Sequence, residues 1–302
     1  MALANKTIMA IDKALLEDQG NTFRGILRGL MPLAEDAYEE HAEPWRSHLG
    51  ASLLGRECMR ELWYSFHWST LQKFEGRMVR LFNRGHLEEP RMVALLKMIG
   101  CTVWQFDQNG KQFRVSGYKN HAGGGIDAVI RGCPDLPPGT DALGEFKTHN
   151  SKSFEKLRQT GVLNAKWEHF VQMQTYMGKL ELPYALYLAV NKDNDDLYGE
   201  IVQFDPSVYK RYQERAVVIV DAKSPPPKIM SASASWHKCK MCNFNGICNR
   251  GETPVRNCRT CEFVEVGDNG TWICKKTSIT LSKSTQMVGC EGYNLNPVYL
   301  QK

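Results

Sequence analysis

The stretch Gly125–His149 holds the side chains best suited to chemistry, and reads GIDAVIRGCPDLPPGTDALGEFKTH. Two short apolar runs, IDAVI and ALGEF, flank a Pro-, Gly- and Asp-rich segment, the pattern of two strands joined by a loose loop. Asp127 opens the first run, where an ordinary strand would carry Val or Thr, and Glu145 and Lys147 lie in the second. Residues two apart on a strand share a face, so Glu145 and Lys147 project together, and pairing of the strands would bring Asp127 alongside. Two carboxylates and an amine at a sheet's end can hold a divalent cation and activate water against a phosphate ester. The D…ExK spacing also arises by chance in solvated hairpins, so its weight depends on its neighbours.

Cysteine is the second residue type with chemistry in its spacing. Seven of the ten cysteines fall between Cys239 and Cys290. Cys239, Cys242 and Cys248 are spaced C-x2-C-x5-C, and three thiolates in one short loop can fill three corners of a metal centre. Cys258, Cys261, Cys274 and Cys290 follow as C-x2-C-x12-C-x15-C, a knuckle and two later thiolates that suit tetrahedral zinc, although the last spacing is long for a zinc ribbon. Between them EFVEVGDNGTWIC reads as a hairpin with an Asp-Asn-Gly turn. No basic-then-apolar leader precedes this crowding, which argues for metal ligation in a reducing, cytoplasmic setting rather than for disulfides. Cys58 opens a helix far upstream, where it is either a small buried hydrophobe or a ligand.

The elements that must position these groups follow from periodicity. Residues 1–44 read as acidic helices forming an N-terminal appendage, a packing or partner-binding arm. Trp45–Trp68 has a Gly-punctuated start and then a helix burying Leu62 and Phe66, and residues 74–99 form a second helix with His86 in its middle. Strands are expected in CTVWQFDQ, QFRVSGY, GIDAVI and ALGEFKT. A helix from about Ala165 to Leu180 places Gln172 and Tyr176 one turn apart, with Met173 and Met177 on an adjacent, half-buried face. Strands PYALYLAVNK and LYGEIVQF, the helix PSVYKRYQERAVVIVDA and a Pro-rich linker, Lys223–Lys228, complete the order. This is an α/β fold, a central mixed sheet flanked by helices. We expect three parts: 1–44, 45–250 and a four-cysteine ribbon-like module at 251–302.

Composition agrees with a soluble protein able to bury a core: 302 residues, 42% hydrophobic and 24% charged, with no apolar run of membrane-spanning length. The net charge of +5 is unevenly distributed. Residues 1–50 hold five basic and eight acidic residues, whereas 51–120 and 221–302 each hold eleven and six. A basic middle and tail around the D…ExK hairpin suit a phosphate backbone, and suit scattered solvated lysines equally.

Taken together, these residues resemble the PD-(D/E)xK nuclease superfamily, in particular its RecB-type and CRISPR-associated iron–sulfur exonucleases, over about residues 50–250. That branch places a histidine on a helix before the sheet, an Asp on one strand, E-x-K on the next and Q-x3-Y on the following helix. His86, Asp127, Glu145 with Lys147, and Gln172 with Tyr176 occur here in that order. The resemblance implies a restriction-endonuclease-like sheet and Mg²⁺ or Mn²⁺ bound by His86, Asp127, Glu145 and the Phe146 carbonyl. It further implies water oriented by Lys147, and a DNA strand or Lys147 itself positioned by Gln172 and Tyr176. It also implies a 4Fe–4S cluster on Cys58, Cys239, Cys242 and Cys248, clasping the chain's start to its end. The activity implied is hydrolysis of DNA ends or single strands in replication, recombination or repair, leaving a 5′-phosphate, a function that phages and mobile elements also encode. The competing expectation is a catalytically silent DNA-binding or assembly module scaffolded by its metal centres. The loop Cys133–Asp141 is longer and richer in Pro than a tight hairpin and could set substrate access. The Cys258–Cys290 module lies outside the resemblance, as a grip on DNA, a site for a protein partner or a cap.

Overall fold

Along Asp141–His149 and Tyr184–Asn191 nearly every residue is buried, the pattern of strands covered on both faces. These two strands form the centre of the fold in the computed structural model, which describes residues 1–36, 45–229, 233 and 235–300. Six strands build one mixed sheet: β1 (Ala2–Leu3), β2 (Thr102–Trp104), β3 (Ala128–Arg131), β4 (Asp141–His149), β5 (Tyr184–Asn191) and β6 (Leu197–Gln203), arranged β1-β6-β5-β4-β3-β2. Every pairing is antiparallel except β4 with β5, which run parallel with Glu145 opposite Tyr187 and Lys147 opposite Ala189. A parallel pair needs a crossover rather than a tight turn.

The helices around the sheet are α1 (Asn5–Asp18), α2 (Asn21–Asp36), α3 (Gly76–Met98), α4 (Ser151–Ala165) and α5 (Trp167–Leu180). Helices α4 and α5 supply the crossover. The core packs Met92, Val93 and Leu96 of α3 with Ile130 of β3, Phe146 of β4, Leu186 and Leu188 of β5 and Ile201 of β6. Each such side chain removed from water contributes about 1.5–3 kcal/mol. The α/β class with a central mixed sheet and flanking helices is the one expected from periodicity.

Several details differ from the expectation. Helix α4 was not anticipated: only Phe154, Leu157 and Val162 are buried in it, too few for a clear apolar stripe. Its start is local chemistry, the Asn150 side chain accepting from Ser153 N at 2.9 Å. Glycine is needed at position 161, where φ is +71° and the helical path breaks. Asp127 sits on a bend just before β3 rather than within it. The N-terminal helices are joined to the sheet, with Ala2 and Leu3 pairing with Ile201 and Glu200 and Ile11 wholly buried. The end of that expected helical stretch, 37–44, lies outside the described residues. The Pro-rich loop after β3 is tied down, because Asp135 accepts from Thr7 N and Thr7 Oγ1, both at 2.7 Å, at the start of α1.

Contacts divide the chain into two units, neither a single segment: 1–42, 74–115 and 125–209 carry the sheet, and 43–73, 116–124 and 210–302 carry the two cysteine groups. In the second unit the helix Met59–Phe66 begins directly after Cys58. Arg60 of that helix donates to the carbonyls of Pro225 (3.4 Å) and Pro226 (2.7 Å) in the Pro-rich run. Strands Val264–Val266, Trp272–Cys274 and Ile279–Leu281 form an antiparallel meander. Its first turn has positive φ at Asn269 and Gly270, the geometry an Asn-Gly pair favours. The centre of this unit is the wholly buried Arg259. Its guanidinium lies 3.6 Å over the Trp68 ring and 4.4 Å from that of Trp272, and donates to the Phe66 and Ser47 carbonyls and to Gln286 Oε1 at 2.9–3.0 Å.

Candidate active site

Strand β4 places Glu145, Lys147 and His149 at alternate positions, hence on one face. Glu145 is fully buried, and its carboxylate meets the Lys147 ammonium in an ion pair. Lys147 Nζ also donates to the Phe146 carbonyl at 3.0 Å and lies 3.6 Å from Asp127 Oδ2. Asp127 reaches across from its bend because Phe146 N donates to Asp127 Oδ2 at 2.8 Å. The two strands pack closely here: a Cβ added at Gly144 would stand 2.8 Å from Ile130 Cδ1 and 3.1 Å from Ala128 Cβ.

A third carboxylate enters from α3. Glu89 shares the field of Asp127, Glu145 and Lys147; burial and then Asp127 push it up to about 8, against the opposing pull of Lys147. Burial likewise pushes Glu145 up to about 7, with Lys147 opposing and Asp127 adding to it. Burial alone would discharge Lys147, but Glu145 and Asp127 outweigh it and hold the ammonium above its ordinary range. Pro90 follows Glu89 in this helix and lacks the N–H that a regular turn would direct at residue 86. His86 itself is exposed, three residues before Glu89.

Helix α5 adds His169, Gln172 and Tyr176, at positions i, i+3 and i+7 of one face. Gln172 and Tyr176 are buried, and the Tyr176 hydroxyl is raised by burial and then by Glu145 and Asp127. Beside them runs a network that sequence spacing did not reveal. Tyr187 of β5 links His149 Nε2 and His169 Nδ1, both 2.9 Å from its hydroxyl, and Ser153 Oγ lies 3.3 Å from His149 Nδ1. Burial, followed by the neighbouring lysines, holds His149 down to about 4 and His169 to about 3. Both imidazoles are therefore neutral at pH 7. One hydroxyl proton cannot serve two acceptors, so at least one ring donates to Tyr187.

In the second unit burial pushes Cys242 up to about 11, with Glu61, Cys58 and Cys239 adding to it, and burial raises Cys58 with contributions from Glu61 and Cys248, so the four cysteines share one neighbourhood. Cys258, Cys261, Cys274 and Cys290 line one cavity of about 170 Å³ with Phe263 and Tyr293. None of the ten cysteines is in a disulfide. Among the described residues no group of three or more His, Cys, Asp or Glu side chains converges closely enough to hold an ion. The donor sets nonetheless suit metals. Glu145 Oε2 is buried without a hydrogen-bond donor among the described residues, and burial raises both Glu145 and Glu89, a cost that a bound cation would offset. Each cysteine quartet offers four thiols in one neighbourhood.

Among the described residues no helix is long and apolar enough to cross a membrane. No protein-family model matches the chain, and no curated protein matches it. Among solved structures it is similar to an alkaline exonuclease, LHK-Exo, from Laribacter hongkongensis, at 17% identity and a TM-score of 0.43 over 57% of this chain and 86% of that one. The same exonuclease in complex with dAMP matches at 16% identity with the same TM-score and coverage. SSO0001 matches at 19% identity and a TM-score of 0.39, over 78% of this chain and 99% of that one.

Proposed function

We propose that the chain is a divalent-metal-dependent nuclease that hydrolyses DNA phosphodiester bonds at ends or in single strands. The observation that carries this reading is the pairing of Asp127 and Glu145 with one lysine beside a buried strand pair, with Glu89 of α3 in the same electrostatic field. A structural role accounts poorly for it, since a buried carboxylate with an undonated oxygen costs stability.

Asp127 and Glu145 would hold Mg²⁺ or Mn²⁺, with a further ligand from α3. Glu89 is the ligand we favour because its carboxyl already shares their field, and His86, expected from the family resemblance, is the alternative one turn earlier. The bound cation would lower the pKa of water and screen the phosphate. Lys147, held charged and aimed by Glu145 and the Phe146 carbonyl, orients the attacking water and stabilises charge developing on the phosphate oxygens. Gln172 and the protonated Tyr176 hydroxyl present donors from α5 toward the strand being cut. The quartet Cys58, Cys239, Cys242 and Cys248 would hold a 4Fe–4S cluster, and Cys258, Cys261, Cys274 and Cys290 a zinc ion. Both act as staples, and a grip on DNA or a protein partner through the C-terminal module or N-terminal helices accords with such rigid ends.

The test is incubation of end-labelled single- and double-stranded DNA with Mg²⁺ or Mn²⁺, beside Lys147→Ala. Cleavage should vanish with EDTA and fall by a hundredfold or more, on the order of the loss of one transition-state charge contact, in the variant. Equal cleavage by wild type and variant would overturn the assignment.

A further inference from the structure

Helix α3 carries an exposed face that the carboxylate cluster does not use. Its first twelve residues, GRMVRLFNRGHL, contain three arginines and no acid. Phe74, just before the helix, and Phe82 within it are 47% and 42% exposed, their rings edge to face with centroids 4.9 Å apart. Among the described residues neither Arg77 nor Arg80 is in an ion pair, and Arg84 donates to the Lys192 carbonyl at 2.5 Å. Adjacent exposed aromatic rings are uncommon on a surface that meets only water, and with unneutralised guanidinium groups beside them they match the two parts of a nucleic-acid strand, bases and phosphates.

Helical phase connects this face to the site. Met78, Phe82, Gly85 and Glu89 follow the spacing i, i+4, i+7, i+11 and so line one side of α3. Between Phe82 and Glu89 the chain has Gly85, around which a Cβ would meet nothing within 4 Å, so the path is open. Seven residues of helix span about 10 Å. At roughly 3.4 Å per stacked nucleotide that is about three nucleotides from a phosphate at Glu89.

We infer that the N-terminal half of α3 is a stacking platform for a single-stranded nucleic acid, whose bases lie on Phe74 and Phe82 while Arg77 and Arg80 meet its phosphates. The inference deepens the nuclease reading, and relies on it only for the direction in which the strand runs. A duplex keeps its bases stacked on each other and offers the two rings no faces. The platform therefore separates single strands from duplexes by binding, before any hydrolysis.

The experiment is fluorescence anisotropy of a labelled oligothymidylate and of a blunt duplex, both in EDTA so that no bond is cut. Phe74→Ala with Phe82→Ala should weaken the single strand about tenfold or more and the duplex less than twofold. Phe82→Trp should retain single-strand binding, and the unfolding midpoint should hold because both rings are exposed. Arg77→Ala with Arg80→Ala should weaken both probes and flatten the salt dependence. Unchanged single-strand binding in the double Phe variant, or equal losses on both probes, would overturn the platform. The platform is read as binding in EDTA and the nuclease reading as cleavage in Mg²⁺ or Mn²⁺, so a failure of one and a failure of the other remain separate results.

Discussion

Glu89→Gln tests whether α3 completes the carboxylate cluster, and its magnitude follows from the crowding there. A carboxyl held at about 8 in the folded protein and near 4.5 when unfolded binds more protons folded than unfolded across that window. Stability then falls as pH rises from about 5 to about 8, and is level above, the reverse of a salt-bridged carboxylate. At about 1.36 kcal/mol per pH unit, the span from 4.5 to neutral pH costs about 3 kcal/mol. Glutamine keeps the shape and never ionises, so the metal-free variant should be the more stable above pH 6. For a unit of this size that is about 6 °C or more in midpoint at pH 7. Thermal unfolding in EDTA at pH 5.5, 7 and 8.5 measures it, and repeating the series in Mg²⁺ supplies the converse. Metal binding needs ionised carboxylates, so wild type should gain more from Mg²⁺ as pH rises, and the variant should gain less than wild type. Parallel pH slopes for wild type and Glu89→Gln, with the same gain from Mg²⁺, would show that Glu89 stands outside the cluster.

Tyr187→Phe removes the hydroxyl between His149 and His169 and leaves two ring nitrogens without their partner, which should cost about 1–3 kcal/mol in denaturant unfolding; a loss below a few tenths would mean water replaces it without penalty. Arg259→Met strands three acceptors and breaks two ring stacks, and should cost about 3 kcal/mol or more, read as early melting of near-ultraviolet tryptophan dichroism; an unaltered melt would deny Arg259 its central place. Elemental analysis of anaerobically purified protein should find iron lost in Cys58→Ser and zinc lost in Cys274→Ser. Iron that survives Cys58→Ser would separate that residue from the Cys239, Cys242 and Cys248 trio.

What the sequence makes legible here is what depends on near neighbours. Alternation along ALGEFKTH places Glu145 and Lys147 on one face, and they contact each other in the fold. The Asp-Asn-Gly turn and the helix Gly76–Met98 are equally local, written in turn residues and period. Helix α4 escaped because its stability comes from an Asn cap and three buried side chains, not from a repeating stripe. Glu89 was hidden for a different reason: nothing in RGHLEEP distinguishes a carboxyl that turns toward β4 from one that turns to solvent. Glu88, its neighbour, does pair with Arg91 at 3.0 Å.

The histidine network shows where local reading ends. His149 continues the alternation begun by Glu145 and Lys147, and His169 shares the helix face of Gln172 and Tyr176, so each was accessible as a position. Neither has a visible purpose until β5 pairs in parallel with β4 and sets Tyr187 opposite Glu145. That register delivers one hydroxyl to two imidazoles from separate elements, and a shift of one residue would turn Tyr187 to the opposite face of the sheet. The parallel pairing in turn depends on a crossover of two helices, the first of which is the one with the weakest sequence signal. The histidines and Tyr187 beside Lys147 are thus fixed by long-range register, while Glu145, its ion-pair partner on the same strand, is fixed by alternation.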